Sequence, residues 1–264
     1  MEERYFADSH EHEQEKKRLQ LLEEFLDPIA QSALREAGVG PGARVLEVGP
    51  GAGSMLRWLA QTVGPDGHVT AIDINPRFVE DIDLPNVSIR KADILDPPED
   101  LDRFDFVYAR YVMLHLPDAN AGAQALFDLL KSGGKAVIID LDWRAVRAAD
   151  RSHPLAKDFD AAMETATEVL QDAGIMDLEF GARGALALEA AGFKDVDCRG
   201  VTRLLRGGTH EVQWYRQSVA PAEAAVQAFA PERAMETTKV FEAYDDPSFA
   251  FSSPIEVVAM GTRR

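Results

Sequence analysis

From Val45 onward, short apolar runs alternate with segments of helical periodicity, and few architectures accept that rhythm. Val45–Val48 reads as a buried strand, and Ser54–Val63 as a helix with Met55, Leu56, Leu59 and Val63 on one face. Gly64-Pro-Asp-Gly67 is a turn by composition, and His68–Ile72 is the next strand. Asn75-Pro76 has the form of a helix start: asparagine caps, and proline in the first turn forfeits only an N–H that has no partner. Val87–Arg90 and Phe104–Tyr108 read as strands, Asp118–Leu130 as a helix closed by Ser132-Gly-Gly134, and Lys135–Ile139 as a fifth strand. Such alternation favours parallel strands with helices on both faces, a doubly wound α/β fold over about residues 43–141. Residues 143–179 then break the rhythm with a helical segment around Phe159–Leu170. It resumes with a helix over Ala182–Ala191, a strand near Val196–Leu205, a largely helical stretch over 210–242 and a last strand at Ile255–Met260. Ahead of the core, His10–Ile29 is helical. Leu19, Leu22, Leu26 and Ile29 share one face, and the charged half from Glu11 to Arg18 reads as a solvated face.

The densest signal is Val45-Leu-Glu-Val-Gly-Pro-Gly-Ala-Gly-Ser54, in which Gly49, Gly51 and Gly53 follow a strand and open a helix. In α/β folds this turn lies at the carboxyl edge of the sheet, where ligands bind. Glycine lets backbone approach a ligand with no Cβ in the way. Alone, the loop fits a dinucleotide site, a nucleoside site or a tight turn. The dinucleotide pattern needs glycine at 54, where Ser54 stands, and a Walker loop needs a lysine that is absent. The spacing is G-x-G-x-G, preceded by the acidic Glu47. Asp73 ends the second strand, where a carboxylate can accept two hydrogen bonds from ribose hydroxyls. Asp93 follows the third strand, in reach of an exocyclic amine. Each aspartate taken singly is more often a cap or loop residue; with the glycine loop they mark three successive strand ends.

These segments resemble a known family. Val45–Met55, Ala71–Pro76, Lys91–Asp96, Phe104–Asp118 and Leu130–Asp140 are similar to the consecutive motifs of the class I S-adenosylmethionine-dependent methyltransferases, with Phe104–Asp118 the most specific piece. Arg18–Gln20, Leu26–Pro28, Asp246-Pro247 and Met260-Gly261 extend the likeness, more loosely, to actinobacterial natural-product enzymes. The resemblance implies a Rossmann-like seven-stranded sheet whose last strand is antiparallel, with an N-terminal helical cap and a helical insertion after the fifth strand. It implies that Gly49, Gly51 and Gly53 line the methionine part of S-adenosylmethionine, with Glu47 a further cofactor-binding candidate. By the same likeness Asp73 holds the ribose, Ile74 packs on the adenine, and Asp93 binds the adenine amine beside Ile94. Ala109 and Arg110 sit where the fourth strand meets the cofactor. Arg18 is a candidate partner for the cofactor's carboxylate, with a solvated helix charge as the alternative. S-adenosylhomocysteine is the implied product, and no metal is implied.

Methyl transfer from a sulfonium is an in-line displacement of an already activated group, so positioning and desolvation supply much of the catalysis. A base is needed only where the acceptor begins protonated, and histidine is the usual choice. Of six histidines, His10, His12 and His68 read as structural or exposed, and His210 as a weak candidate. His115, just after the fourth strand on the ligand side, is the leading candidate, with local packing as its alternative; His153, in the insertion, is the second.

The 264 residues accommodate a helical cap over 1–42 and a methyltransferase domain over 43–264, with a helical lid at about 143–179. Trp143, Phe159, Met163, Leu170 and Met176 in that insertion suit an apolar acceptor pocket, though core packing needs the same residues. The net charge of −17 argues against a nucleic-acid face, which needs clustered Lys and Arg. The single Cys198 excludes an intrachain disulfide and a thiolate zinc cluster. The polar start Met1–Phe6 is unlike a signal peptide, and no run is apolar enough for a membrane span, so the reading is a cytoplasmic protein, with a homodimer compatible. The expected function is methyl transfer to the oxygen or nitrogen of a small secondary metabolite. The rivals are a protein or nucleic-acid methyltransferase, a pericyclase that binds the cofactor without transferring methyl, and a nicotinamide dehydrogenase.

Overall fold

A computed structural model describes residues 12–233 and 237–264. The expectations for His10 and Glu11 and for the start Met1–Phe6 lie outside the described residues, as does the stretch 234–236 of the expected helical region.

The chain divides into two compact units. One comprises Glu23–Asp140, Phe180–Arg199 and Val257–Arg264, and carries most of a seven-stranded sheet. Its strands are β1 (Arg44–Val48), β2 (His68–Asp73), β3 (Val87–Lys91), β4 (Phe104–Arg110), β5 (Leu130–Asp142), β6 (Lys194–Val201) and β9 (Ile255–Thr262). Their spatial order is β3-β2-β1-β4-β5-β9-β6. The pairs β1–β2, β1–β4, β2–β3 and β4–β5 are parallel. The last strand, β9, runs antiparallel; just beyond its end Arg263 and residues 133–134 of β5 exchange backbone hydrogen bonds of 2.6 and 2.9 Å. The order reverses between β1 and β4, so the tips of β1, β2 and β4 meet at the switch point where such sheets bind ligands.

Period-two alternation divides the side chains between the faces. Val45, Val69, Ala71, Tyr108, Val137, Ile139 and Val258 form one face. Against it pack Ala30, Ala33, Leu34 and Ala37 of α1 (His12–Ala37) and Met55, Leu56, Leu59 and Val63 of α2 (Ser54–Val63). The opposite face is covered by α3 (Ala119–Asp128) and α5 (Gly184–Ala190). Asp118 caps α3 by accepting the Ala121 N–H at 2.9 Å. Gly184 lets α5 press on Ile138 and Ala259, and Phe127 meets Phe193 edge-on at 5.1 Å.

The other unit comprises the described residues to Leu22, Leu141–Glu179 and Gly200–Glu256. Here α4 (Ala156–Asp172), the helix inserted after β5, packs on α6 (Gln213–Phe229) and α7 (Thr237–Asp245). A two-stranded ribbon, β7 (Leu204–Arg206) with β8 (Ala250–Ser252), completes it. Phe159, Tyr215, Tyr244, Phe249 and Phe251 are its fully buried aromatic centre, with ring centroids 5.0–6.4 Å apart. No described helix is long and apolar enough to cross a membrane.

Four expectations need correction. The segment opened by Asn75-Pro76 is a series of turns, such as Val79 N–H to the Pro76 carbonyl at 2.9 Å, rather than a helix; Pro85 disfavours helix at Leu84. Ser132–Gly134 does not close α3 but belongs to β5, which starts at Leu130 and passes an irregularity in its pairing with β4 between Phe104 and Phe106. The expected strand near Val196–Leu205 is two, β6 and β7, which lie in different sheets. The charged half of α1 is not wholly solvated: Glu15 is buried, and both its oxygens accept from Arg18 at 2.7 and 2.8 Å. The helix also runs past Pro28, which is exposed, to Ala37.

Leu34 of α1 is fully buried against the sheet. Leu34→Ala is expected to cost about 2–5 kcal/mol in denaturant unfolding; a loss below ~1 kcal/mol would mean that this half of α1 is not part of the core.

Candidate functional site

The tip of β1 turns through Gly49, Gly51 and Gly53, whose φ angles are +69°, +58° and +91°. These are left-handed values that other residues rarely adopt. Two of the glycines also yield space. A Cβ at Gly49 would lie 2.5 Å from Cγ2 of Val112, and one at Gly53 2.6 Å from Cδ1 of Ile82. The glycine positions are therefore bare backbone by necessity, and the loop delivers Gly53 and Ser54 to the N-terminus of α2. Partial positive charge collects at that end of a helix.

Around the loop stands a buried charge cluster built from four elements. The register sets Glu47 of β1 beside Tyr108 of β4, and Arg110 follows two residues on, so all three share the face covered by α1. From α1, Asp27 Oδ1 accepts from Arg110 Nη1 at 2.7 Å and from the Ser54 hydroxyl at 2.9 Å. Glu23 Oε1 accepts the Ser54 backbone N–H at 3.2 Å. Glu47 is 2 % exposed, and its Oε2 has no hydrogen-bond partner among the described residues; neither does the buried Tyr108 hydroxyl. Burial pushes the Glu47 carboxyl up to about 8, with Arg110 pulling the other way. Burial also raises Glu23, against the Ser54 N–H, and raises the Tyr108 phenol. For Arg110 burial works against the charge, but Asp27, which accepts its hydrogen bond, and Glu23 act the other way and hold the guanidinium protonated.

Next along the sheet edge, Asp73 Oδ1 accepts the Asn75 N–H at 2.7 Å, and burial raises its carboxyl, opposed by that bond. Ile74 follows with 52 % of its surface exposed. Beyond β3, Asp93 is exposed, with Oδ1 accepting the Leu95 N–H at 2.9 Å, and Ile94 is buried. Ala109 is wholly buried. His115 ends a short 3₁₀ turn, Met113–His115, after β4 and is half-buried. Between them Tyr111 has φ +54°, the left-handed twist that ends β4 and lets Val112 fall over Gly49.

The structure thus brings Glu47, Gly49, Gly51, Gly53, Asp73, Ile74, Asp93, Ile94, Ala109, Arg110 and His115 into one unit, on strand ends and the loops after them. Arg18 and His153 belong to the other unit. Arg18 is held by Glu15. The His153 ring is held on both sides: Nδ1 accepts the Leu155 N–H at 3.3 Å, and Nε2 lies 3.2 Å from Ser248 Oγ and 3.5 Å from Asp246. His68 Nε2 pairs with Ser88 Oγ at 2.9 Å, at the other end of β2 from Asp73.

Sequence reasoning did not single out Glu23 and Asp27. One signal was available: two acidic residues at i and i+4 repel each other on a helix, and these flank the buried Leu22 and Leu26, so partners were required. Chemically, bare backbone, a carboxyl lacking a partner, and exposed apolar Ile74 make a fit for an elongated ligand that is cationic at one end and apolar and flat at the other. S-adenosylmethionine, with its ammonium, sulfonium and adenine, has that character.

Removing Asp27 would strand Arg110. Asp27→Ala is expected to lower stability by about 2–4 kcal/mol, below the fully buried limit because Asp27 keeps 19 % of its side chain exposed. Adding Arg110→Met to it should recover part of the loss; additive losses in a denaturant double-mutant cycle would contradict the coupling.

The sequence matches the family model described as a methyltransferase domain over residues 10–196. Nocamycin O-methyltransferase of Saccharothrix syringae is 31% identical over 191 residues, covering 66% of this chain and 67% of that protein. Aklanonic acid methyltransferase of Streptomyces sp. strain C5 is 31% identical over 129 residues, 46% of this chain and 59% of that protein. The chain spans about half the length of several other curated relatives that it matches. Among solved structures, phosphoethanolamine N-methyltransferase 2 of Haemonchus contortus, bound to S-adenosylhomocysteine, aligns with TM-score 0.57 at 13% identity, over 98% of this chain and 59% of that one, a likeness of fold. Matched by the family model over more than two thirds of its length and built on the same sheet, the chain belongs to the methyltransferase-domain family, the class I fold whose cofactor is S-adenosylmethionine.

Proposed function

We propose that this protein transfers the methyl group of S-adenosylmethionine to an oxygen or nitrogen of a small-molecule acceptor, a secondary metabolite. The observation that carries the reading is the convergence of a loop with three left-handed glycines, Gly49, Gly51 and Gly53, with Asp73 and Asp93 on the tips of three adjacent strands, β1, β2 and β3. The 31% identity to a nocamycin O-methyltransferase and to an aklanonic acid methyltransferase supports a small natural product as acceptor. The net charge of −17 disfavours a polyanion as substrate.

In this reading the bound cofactor supplies an electrophilic methyl on a positively charged sulfur. The chain's own residues do the rest. The backbone of Gly49–Gly53 lies along the amino-acid end of the ligand, with Glu47 and Arg110 behind it. Asp73, its Oδ1 already fixed by the Asn75 N–H, presents its remaining oxygen to the ribose hydroxyls. Ile74 covers one face of the adenine, and Asp93 and Ile94 bound its edge. The burial around Glu47, Tyr108 and Ala109 keeps water from the strand tips. Where the acceptor is a hydroxyl, His115 is the base within the same unit. His153, fixed between Leu155 and Ser248, stands as the second candidate.

Asp73→Ala is expected to weaken S-adenosylmethionine binding by about 1–3 kcal/mol in calorimetry; unchanged affinity would remove the ribose contact from β2. With methyl-labelled S-adenosylmethionine and a metabolite extract, label should pass to the small-molecule fraction as S-adenosylhomocysteine accumulates. Label in the protein fraction would favour a protein acceptor, and cofactor binding with no S-adenosylhomocysteine would favour a non-methylating role.

A further inference from the structure

The charge cluster beneath the glycine loop is unbalanced: its carboxyls outnumber its guanidinium, and one carboxyl oxygen lacks a partner among the described residues. Three carboxyls, Glu23 and Asp27 from α1 and Glu47 from β1, surround one guanidinium, Arg110 from β4. Arg110 Nη1 is committed to Asp27 at 2.7 Å. Ser54 gives its hydroxyl to Asp27 and its N–H to Glu23. Nothing among the described residues donates to Glu47 Oε2, although Glu47 is 2 % exposed. Its register partners are Tyr108 on β4, also buried and unbonded at its hydroxyl, and Ala71 on β2, which carries no charge. A bare carboxylate cannot be held there at little cost. Burial accordingly raises the Glu47 carboxyl to about 8, so at neutral pH it keeps its proton and the cluster is short of one positive charge.

We propose that Glu47 exchanges this proton for the positive charge of the incoming cofactor, so that loading of the loop Gly49–Gly53 releases one proton to solvent. The inference rests on the functional reading above and adds to it a stoichiometry and a direction. A cation arriving beside Glu47 stabilises the carboxylate. Binding is then tighter where Glu47 is already ionised, and affinity rises with pH. For a carboxyl of pKa about 8, affinity should increase about ninefold between pH 6 and pH 7. Over that range the ligand's own ammonium, with a pKa near 7.7–8.0, stays mostly charged. Glu23 and Asp73 are also raised by burial, so the variant must separate them from Glu47.

The test is isothermal titration of the full chain with S-adenosylmethionine at pH 7.0 in phosphate and in Tris, whose ionisation enthalpies differ, together with the dissociation constant at pH 6.0 and 7.0. The wild-type protein should release about 0.9 proton per ligand bound, the fraction of Glu47 still protonated at that pH. Glu47→Gln should release less than about 0.2 and lose the ninefold rise. Binding by the wild type with under about 0.3 proton released, or equal release from Glu47→Gln, overturns the proposal while leaving the cofactor reading intact. No binding of S-adenosylmethionine at all overturns both. Should Glu47→Gln fail to fold, Glu23→Gln and Asp73→Asn separate the three groups: each should keep the release of about 0.9 proton, and loss of the release in either overturns the proposal.

Discussion

The turn after β1 is the constraint from which the rest of the site follows. Three left-handed residues within five positions, Gly49, Gly51 and Gly53, fold the chain back so tightly that Val112 and Ile82 occupy the space where side chains would project. At these three positions the loop has no side chains to hold it. It is held from outside, by Ser54 at the start of α2, whose two donors are taken by Glu23 and Asp27 of α1. Asp27 passes the restraint on to Arg110 at the end of β4. One strand tip and two helix segments therefore share one hydrogen-bonded cluster, with Glu47 at the tip of β1 buried beside it.

Most of the sheet was legible in the sequence because its strands are buried on both faces. Buried strands read as short apolar runs between turns, as Val45–Val48 and His68–Ile72 do. Asp73 and Asp93 were legible for a related reason: each ends a strand, and strand ends in a doubly wound sheet fall on one edge. Where the reading failed, local signals were true locally and overridden by context. Asn75-Pro76 is a sound helix start, but the chain after it is held in turns, with Val79 and Ile82 each bonding back three residues, and Pro85 disfavours helix at Leu84. Ser132-Gly-Gly134 is turn-like in composition, yet Arg263 supplies the backbone partner that keeps it in a strand. The three-residue strands β7 and β8 carry too little periodicity to stand out, and their pairing joins segments more than forty residues apart.

The cluster around Glu47 was only half visible for a different reason. Glu47 and Arg110 lie in recognisable motifs, but the residues that engage Arg110 and Ser54 come from α1. Asp27 is 83 positions from Arg110, and Glu23 is 31 from Ser54. No periodicity connects such positions. The same long-range packing raises Glu47, because α1 seals the sheet face on which it lies. The helix thus acts on the site through electrostatics, by excluding water and by contributing two carboxyls, in addition to the apolar area that Leu34 and its neighbours bury.

The account stands on one placement, a nucleoside cofactor along the tips of β1, β2 and β3. A crystal structure of the protein grown with S-adenosylhomocysteine tests it most directly. The account predicts the amino-acid end of the ligand against the backbone of Gly49–Gly53, the ribose hydroxyls in hydrogen-bonding distance of Asp73, and the adenine against Ile74. A ligand bound elsewhere, or turned so that its ribose misses Asp73, would contradict it.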